Sequence, residues 1–117
     1  MVMKMESKKI NVLGAEYTLT VCNDDECSRL DGCDGFCDET TKELFAESYS
    51  KSGDDPTCKA NLQVQTNKVK RHEIIHAFLF ESGLAENSTW AQNEEMVDWI
   101  AIQFPKLLEA FKAADAL

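Results

Sequence analysis

The sequence predicts an α+β fold, in which a small β-sheet comes first and helices follow. Apolar and polar residues alternate over residues 8–22, as they do in half-buried strands. Residues 66–115 instead carry wide apolar stripes with the period of a helix. The length of 117 residues corresponds to one domain. We therefore expect a single domain over 1–117, with a sheet half over about 8–65 and a helical half over about 66–115.

The first part of the sheet half predicts strands followed by a loop. The apolar positions of residues 8–22 lie on both sides of Gly14, a turn-forming residue. We expect two short strands or one hairpin in this segment. Residues 23–35 are acidic and contain glycine, a composition that is typical of a loop.

Two further strands are expected before the helical half. Residues 43–49 favour a strand that follows a turn, and residues 50–56 are predicted to form a second polar loop. Leu62 and Val64 alternate with glutamines, which predicts a short strand over residues 61–65.

Capping residues set the expected limits of two helices. The Thr66–Asn67 pair can begin the first helix, and Gly83 can end it in the left-handed conformation. The Ser88–Thr89 pair can begin the second helix. Pro105 is expected to kink or restart this second helix, whose apolar side continues towards the C-terminus.

The chain is strongly acidic, with 12 Lys and Arg against 21 Asp and Glu and a formal net charge of −9. Such a surface disfavours binding to nucleic acid or to a membrane through a basic patch. Lys68, Lys70 and Arg71 could form an anion site, but we expect a solvated helix face. Because the sequence shows no export signal and no apolar run of membrane-spanning length, we expect a cytoplasmic protein.

The five cysteines do not form a recognisable metal or disulfide framework. Their number is odd, and only two of the spacings approach the short separations of zinc knuckles. We expect reduced thiols, while a second zinc site and disulfides stay open as alternatives. The cysteines are Cys22, Cys27, Cys33, Cys37 and Cys58.

The chemistry of the sequence is concentrated in the motif HEIIH. His72 and His76 are four residues apart, so in a helix both imidazoles lie on one face and can bind the same ion. Glu73 lies about 100° further round the helix, within reach of a water held by that ion. This arrangement is typical of a catalytic zinc ion, with the carboxylate as the general base that activates the zinc-bound water.

The following helix offers the third metal ligand. Catalytic zinc is commonly bound by two histidines and a glutamate. Glu94 shares a helix face with Asp98, so Glu94 can bind the metal while Asp98 accepts a hydrogen bond from a zinc-binding histidine. Glu95 is the alternative third ligand, on a face about 100° away. We expect one catalytic Zn²⁺ at this site.

The motif His72-Glu-x-x-His76 followed by Glu94-x-x-x-Asp98 resembles the gluzincin pattern of zinc metallopeptidases. The flanking residues, HEIIHAFLFESGL and NEEMVDWIAIQFPKL, are similar to small metallopeptidases that phages and mobile elements of Gram-positive bacteria carry. Those proteins are distant relatives of the ImmA/IrrE-type peptidases, which cleave repressors. The resemblance covers residues 66–110.

The resemblance implies a zincin-like fold, with a small twisted sheet packed on an active-site helix and a C-terminal helix that brings the third ligand. It also implies hydrolysis of a peptide or protein substrate. Carried over to this chain, His72, His76 and Glu94 match the zinc ligands, Glu73 matches the general base, and Asp98 matches the residue that orients a ligand histidine.

One element of the family pattern is missing. Gluzincins usually have a later tyrosine or histidine that stabilises the oxyanion, and this chain has neither after Glu95. Tyr17 and Tyr49 could reach the site from the sheet half, although we expect both to be half-buried strand residues. Trp90 and Trp99 are expected to pack in the core or between helices.

Two other functions stay open from the sequence. In one, the chain is a metal-bearing protein-binding module of phage or mobile-element origin without efficient catalysis. A thiol such as Cys58 at the metal would indicate this case, because closed four-ligand sites are structural. In the other, the chain binds no metal and acts as a small acidic inhibitor or decoy.

Overall fold

The computed structural model describes residues 6–23, 25–30, 32–49 and 61–117. These residues form a four-stranded mixed sheet and three helices, which confirms the predicted α+β class. The strands are β1 (Glu6–Val12), β2 (Ala15–Cys22), β3 (Gly35–Asp38) and β4 (Glu43–Glu47). The helices are α1 (Leu62–Glu81), α2 (Leu84–Asn87) and α3 (Glu94–Ala113). The sheet order is β1-β2-β4-β3; α1 packs on β3 and β4, and α3 packs on α1.

β1 and β2 form the predicted antiparallel hairpin. Its two-residue loop has positive φ angles at both positions, 53° at Leu13 and 91° at Gly14. A turn with positive φ at both positions matches the right-handed twist of the flanking strands. Glycine suits one of these positions because it adopts positive φ readily. The Gly14 backbone N–H donates to Asn11 Oδ1 at 2.9 Å and closes the turn.

β4 lies inside the sheet, parallel to β2 and antiparallel to β3. The prediction of a strand over 43–49 is therefore confirmed in its first five residues. β3 at the sheet edge was not predicted, because its four residues all have intermediate burial and so show no alternation. The predicted loop over 23–35 contains a short 3-10 turn, Ser28–Leu30, and ends where β3 begins.

α1 begins four residues before its predicted start. The prediction of a strand over 61–65 is wrong, because Leu62 is the first residue of the helix and Asn61 Oδ1 accepts a hydrogen bond from Val64 N at 3.3 Å. Two alternating pairs are too few to distinguish a strand from one turn of a helix. Thr66 lies inside α1 and does not cap it; its hydroxyl donates to the carbonyl of Glu47 at 2.9 Å and holds the helix to the end of β4.

The junction between α1 and α3 confirms one predicted limit and corrects another. Gly83 adopts a φ of 85° just after α1, as its predicted role in ending the helix requires. The predicted start of the second helix at Ser88–Thr89 is wrong. α3 begins at Glu94, because Asn93 Oδ1 accepts a hydrogen bond from Met96 N at 2.8 Å and caps the helix.

Pro105 lies within α3, which continues through it and does not restart. Because proline has no backbone N–H, the carbonyl of Ala101 loses its helical donor. Arg71 of α1 supplies a replacement, since its Nε donates to this carbonyl at 2.6 Å. Arg71 is therefore part of the helix–helix contact, and the prediction that it belongs to a solvated helix face is wrong.

The core has two clusters of buried residues. One lies between the sheet and α1, and the other is next to the 3-10 turn. The first contains Val12, Tyr17, Leu19, Leu44 and Ala77, and the second contains Cys22, Leu30 and Phe45. Trp90 and Trp99 belong to neither; they are 52% and 57% exposed, so the prediction that they pack in the core or between helices is wrong.

Cys22, Cys27, Cys33 and Cys37 are free in the structure, as predicted, whereas Cys58 lies outside the described residues. Among the helices of the described segments, none combines the length and the apolar character that crossing a membrane requires.

Tyr17 connects the sheet to the end of α1. Its side chain is fully buried, and its hydroxyl donates to Glu81 Oε1 at 3.0 Å. The Lys42 ammonium forms an ion pair with the same carboxylate oxygen. The hydrogen bond from Lys42 and then that from Tyr17 lower the pKa of Glu81 below its ordinary value of 4.5.

We expect Glu81→Gln to reduce acid sensitivity. A carboxylate whose pKa is lower in the folded than in the unfolded state stabilises the fold above the unfolded pKa, and this contribution disappears as the pH falls through the folded pKa. The melting temperature of Glu81→Gln should therefore lie below that of the parent at pH 7, and the difference should shrink as the pH falls below 4.5 and through the lowered folded pKa. Glu86→Gln on the exposed α2 is the matched control; a constant difference for Glu81→Gln across this range would contradict the assignment.

Candidate metal centre

The two histidines of the motif converge on one point at the surface of α1. His72 and His76 are one helical turn apart, and their Nε2 atoms are separated by 3.2 Å. Both side chains are largely covered, with 16% and 11% of their surface exposed. Burial lowers the pKa of His76 below its ordinary value of 6.5, which favours the neutral imidazole, the form that binds metals.

Glu94 brings a carboxylate to the two imidazoles from the first residue of α3. Its Oε2 is 2.9 Å from His72 Nε2, and its Oε1 is 3.0 Å from His76 Nε2. The three ligand atoms lie within 4.8 Å of one another and could hold a metal ion. Glu95 follows directly and lies outside this group; both glutamates are exposed.

Asp98 holds the ring of His72 from the opposite side. Its Oδ1 is 3.2 Å from His72 Nδ1. A carboxylate oxygen can accept a hydrogen bond from Nδ1–H, and in that tautomer Nε2 presents a lone pair. That lone pair faces a Glu94 oxygen at 2.9 Å, and two acceptors at this distance repel each other unless a proton or a cation lies between them.

The donor set fits zinc. Two imidazole nitrogens and one carboxylate oxygen are the ligands of many catalytic zinc sites. Ligand atoms at about 2.0–2.1 Å from a tetrahedral zinc are about 3.3 Å apart. The two imidazole Nε2 atoms are 3.2 Å apart, which is close to that value, while the Glu94 contacts of 2.9 and 3.0 Å are made by its two different carboxylate oxygens.

Glu73 is buried between α1 and the edge strand β3, with 7% of its surface exposed. Burial raises the pKa of this carboxyl to about 7, the negative charge of Glu94 adds to the rise, and His72 opposes it. A carboxyl with this pKa can accept and release a proton at neutral pH. A cation bound by the adjacent histidines would lower the pKa and keep Glu73 ready to accept a proton.

Gly35 provides the space that Glu73 occupies. A Cβ atom at position 35 would lie 2.6 Å from Glu73 Oε2 and 2.7 Å from Val69 Cγ1. Both distances are shorter than real Cβ contacts, so only glycine allows α1 to pack this closely on β3. Sequence reasoning missed Gly35, because the glycine lies at the end of a segment whose composition predicts a loop.

The candidate ligands line a cavity of about 420 Å³ between α1, β3 and the start of α3. Besides the ligands and Glu73, its walls include Gly35, Phe36 and Cys37 of β3 and Lys68 of α1. Its volume falls in the range of small-molecule and peptide side-chain sites.

Tyr17 and Tyr49 do not line this cavity. The Tyr17 hydroxyl donates to Glu81, while the Tyr49 hydroxyl donates to Asp34 Oδ1 at 3.0 Å. Asp34 itself lies in the cavity wall, so Tyr49 is one residue removed from the cavity. Within the described segments, the structure therefore brings neither tyrosine to the candidate ligands.

The packing of Gly35 predicts a specific stability effect. Gly35→Ala should cost about 1–3 kcal/mol in the free energy of unfolding, because the added methyl group overlaps Val69 and Glu73. Denaturant titration measures this cost. Val69→Ala removes one of the overlapping methyl groups, so the double variant should lose less stability than the two single variants together. Strict additivity would show that the overlap is not the cause.

The ligand assignment predicts which glutamate supports metal binding. Zinc affinity, measured by competition with a chromophoric chelator, should fall more than about tenfold for Glu94→Gln and about 10–100-fold for Asp98→Asn. Glu95→Gln is the matched control and should bind zinc like the parent, since this side chain is outside the ligand group. A larger loss of zinc affinity for Glu95→Gln than for Glu94→Gln would instead identify Glu95 as the third ligand.

Comparison with protein-family models, with curated proteins and with solved structures finds no significant match to this chain. The functional interpretation therefore depends on the motif and on the geometry of its residues.

Proposed function

We propose that the protein is a zinc-dependent metallopeptidase that hydrolyses a peptide bond, with Glu73 as the general base. The observation that carries the proposal is the convergence of His72, His76 and Glu94 on one point beside a buried carboxyl group. A buried acid next to a metal-binding group is the combination that hydrolytic zinc sites use. The proposal includes membership of the gluzincins and a zincin-like fold, for which the motif and the order of the site elements are the support.

Zinc bound by such a set polarises a carbonyl group and lowers the pKa of a water molecule to about 7. Residues of this chain bind the ion and transfer the proton. His72, His76 and Glu94 would hold the ion, and Asp98 would accept a hydrogen bond from His72 Nδ1 so that Nε2 stays available. Glu73 takes a proton from the attacking water on one of its carboxylate oxygens and then delivers it to the leaving amine.

The edge strand β3 supports a peptide as the substrate. β3 pairs with β4 on one side, and in the described part of the chain its other side carries no strand. An extended peptide can add to such an edge through main-chain hydrogen bonds, with little demand on its sequence. Because β3 also forms one wall of the cavity, a peptide bound there would pass directly by the candidate ligands.

A cytoplasmic location is part of the proposal. The four described cysteines are free thiols, which a reducing compartment maintains. The peptide or protein substrate would be met in that compartment.

A metal-bearing binding module is the second candidate function. It is favoured by one observation: within the described segments, no tyrosine lines the cavity to stabilise an oxyanion. Removing one such donor in other enzymes costs about 10²–10³ in rate. If the zinc-loaded protein binds peptides but cleaves none of them, this second function replaces the first.

The role of Glu73 predicts a separation of turnover from metal binding. Glu73→Gln should reduce the rate of peptide cleavage by about 10²–10⁴-fold, because an amide cannot accept the proton. Zinc content should stay at one equivalent, since Glu73 is not among the ligands. Cleavage of a proteome-derived peptide library, read by mass spectrometry, measures the rate, with Glu95→Gln as the control. A Glu73→Gln variant that cleaves as fast as the parent would refute the proposed base.

A further inference from the structure

Lys68 places an ammonium group in the wall of the candidate site. It precedes His72 by four residues on α1, so the two side chains lie on the same face of the helix. Its side chain is 24% exposed, which corrects the prediction that it belongs to a solvated helix face. A lysine that is three-quarters covered beside a metal-binding group calls for a physical explanation.

The charges around Lys68 make it unusual in this cavity. The other charged residues of the wall, apart from the two histidines, are all acidic: Asp34, Glu73, Glu94 and Asp98. Among the described lining residues, Lys68 is thus the one lysine or arginine. A carboxylate that enters the cavity from solution would be repelled elsewhere along the wall and attracted only near this ammonium, apart from any metal ion.

The ammonium of Lys68 keeps its hydrogen-bonding capacity. Its ion-pair contact is with Asp98 Oδ1 at 3.9 Å, which is longer than a hydrogen bond. The same oxygen is 3.2 Å from His72 Nδ1, so Asp98 is already engaged by the histidine. Within the part of the chain that the structure describes, no closer acceptor engages the Lys68 ammonium, so its three N–H donors are available within the cavity.

The position of Lys68 along α1 sets its distance from the reacting centre. The backbone at position 68 lies about 9 Å from the midpoint between His72 and His76 along the helix axis, given about 1.5 Å of rise per residue. The ammonium itself lies within about 7 Å of His72 Nδ1, because Nζ is 3.9 Å from Asp98 Oδ1 and that oxygen is 3.2 Å from the ring nitrogen. An extended peptide covers this distance in about two or three residues. The ammonium is thus placed to contact a neighbouring part of the substrate and not the scissile carbonyl.

We propose that Lys68 is a specificity-determining residue that binds a carboxylate of the substrate about two or three residues from the scissile bond. The carboxylate is an Asp or Glu side chain or the free C-terminus of the peptide. The inference rests on the proposed peptidase function, and it identifies the substrate class as acidic peptides.

Cleavage specificity provides the first test. The zinc-loaded protein is incubated with the peptide library, and the frequency of Asp and Glu is counted at each position around the cleaved bonds. If the carboxylate is a side chain, the parent should enrich acidic residues about tenfold at one position. If it is the free C-terminus, the parent should cleave near free C-termini and spare C-terminally amidated copies. Lys68→Met should abolish the enrichment, Lys68→Arg should retain it, and Lys68→Glu should replace it with a preference for basic residues.

Lys70→Met is the matched control, because Lys70 is on the same helix but outside the cavity wall. It should keep the acidic preference of the parent. If the parent prefers neither acidic residues nor free C-termini, or if Lys70→Met and Lys68→Met change the preference equally, the inference is overturned even though cleavage supports the peptidase.

A binding experiment tests Lys68 independently of turnover. Peptide hydroxamates with Glu or Gln two or three residues from the zinc-binding group are titrated into zinc-loaded Glu73→Gln protein by calorimetry. The Glu probe should bind about tenfold more tightly than the Gln probe, and Lys68→Met should remove this ratio. The ratio can persist when no peptide is cleaved, in which case the peptidase proposal fails and the carboxylate site stands. Equal affinities for the two probes would overturn the carboxylate site.

Discussion

The packing of α3 on α1 is the constraint on which the candidate site depends. Two imidazoles come from α1 and the third ligand comes from α3, so the site exists only while the two helices keep their alignment. Two contacts hold that alignment next to the ligands. Arg71 donates to the carbonyl of Ala101, and His72 contacts Asp98. The start of α3 matters equally, because the Asn93 cap makes Glu94 the first helical residue and directs it towards α1.

A second constraint comes from the sheet. Glu73 lies on α1 with the histidines, but its surroundings are set by β3, whose first residue is a glycine. Without a side chain at this position, the strand approaches the helix closely enough to bury the carboxyl. Burial is also the main reason why the pKa of Glu73 rises to about 7. The sheet edge thus affects the protonation of a residue that it does not supply.

Sequence reasoning predicted the parts of the molecule whose signals are local and strong. The alternation around Gly14 gave the hairpin, Gly83 gave the end of α1, and the motif HEIIH gave two imidazoles on one helix face. It failed where several capping residues compete within a few positions. Ser88, Thr89 and Asn93 are all good N-caps, and the choice among them depends on how the chain between α1 and α3 packs.

The other wrong or missed predictions also arise because tertiary packing decides the outcome. β3 has too few residues and too even a burial to show a period, yet it forms a wall of the cavity. Lys68 and Arg71 follow the pattern of an exposed charged face, but α3 packs over that face: Arg71 donates to the Ala101 carbonyl, and Lys68 lies 3.9 Å from Asp98. Charge patterns along a helix indicate exposure only when no second helix packs against them.

The hydrogen bond from Arg71 to the carbonyl of Ala101 limits the substitutions that preserve the contact between the two helices. Its acceptor belongs to the main chain, so no substitution at position 101 can delete it, although only a small side chain fits at this fully buried position. The contact therefore depends on two residues. Arg71 supplies the donor, and Pro105 has no backbone N–H that could compete for the Ala101 carbonyl. Any other residue type at 105 would restore that amide, and the arginine would then have to share an oxygen that it now holds alone.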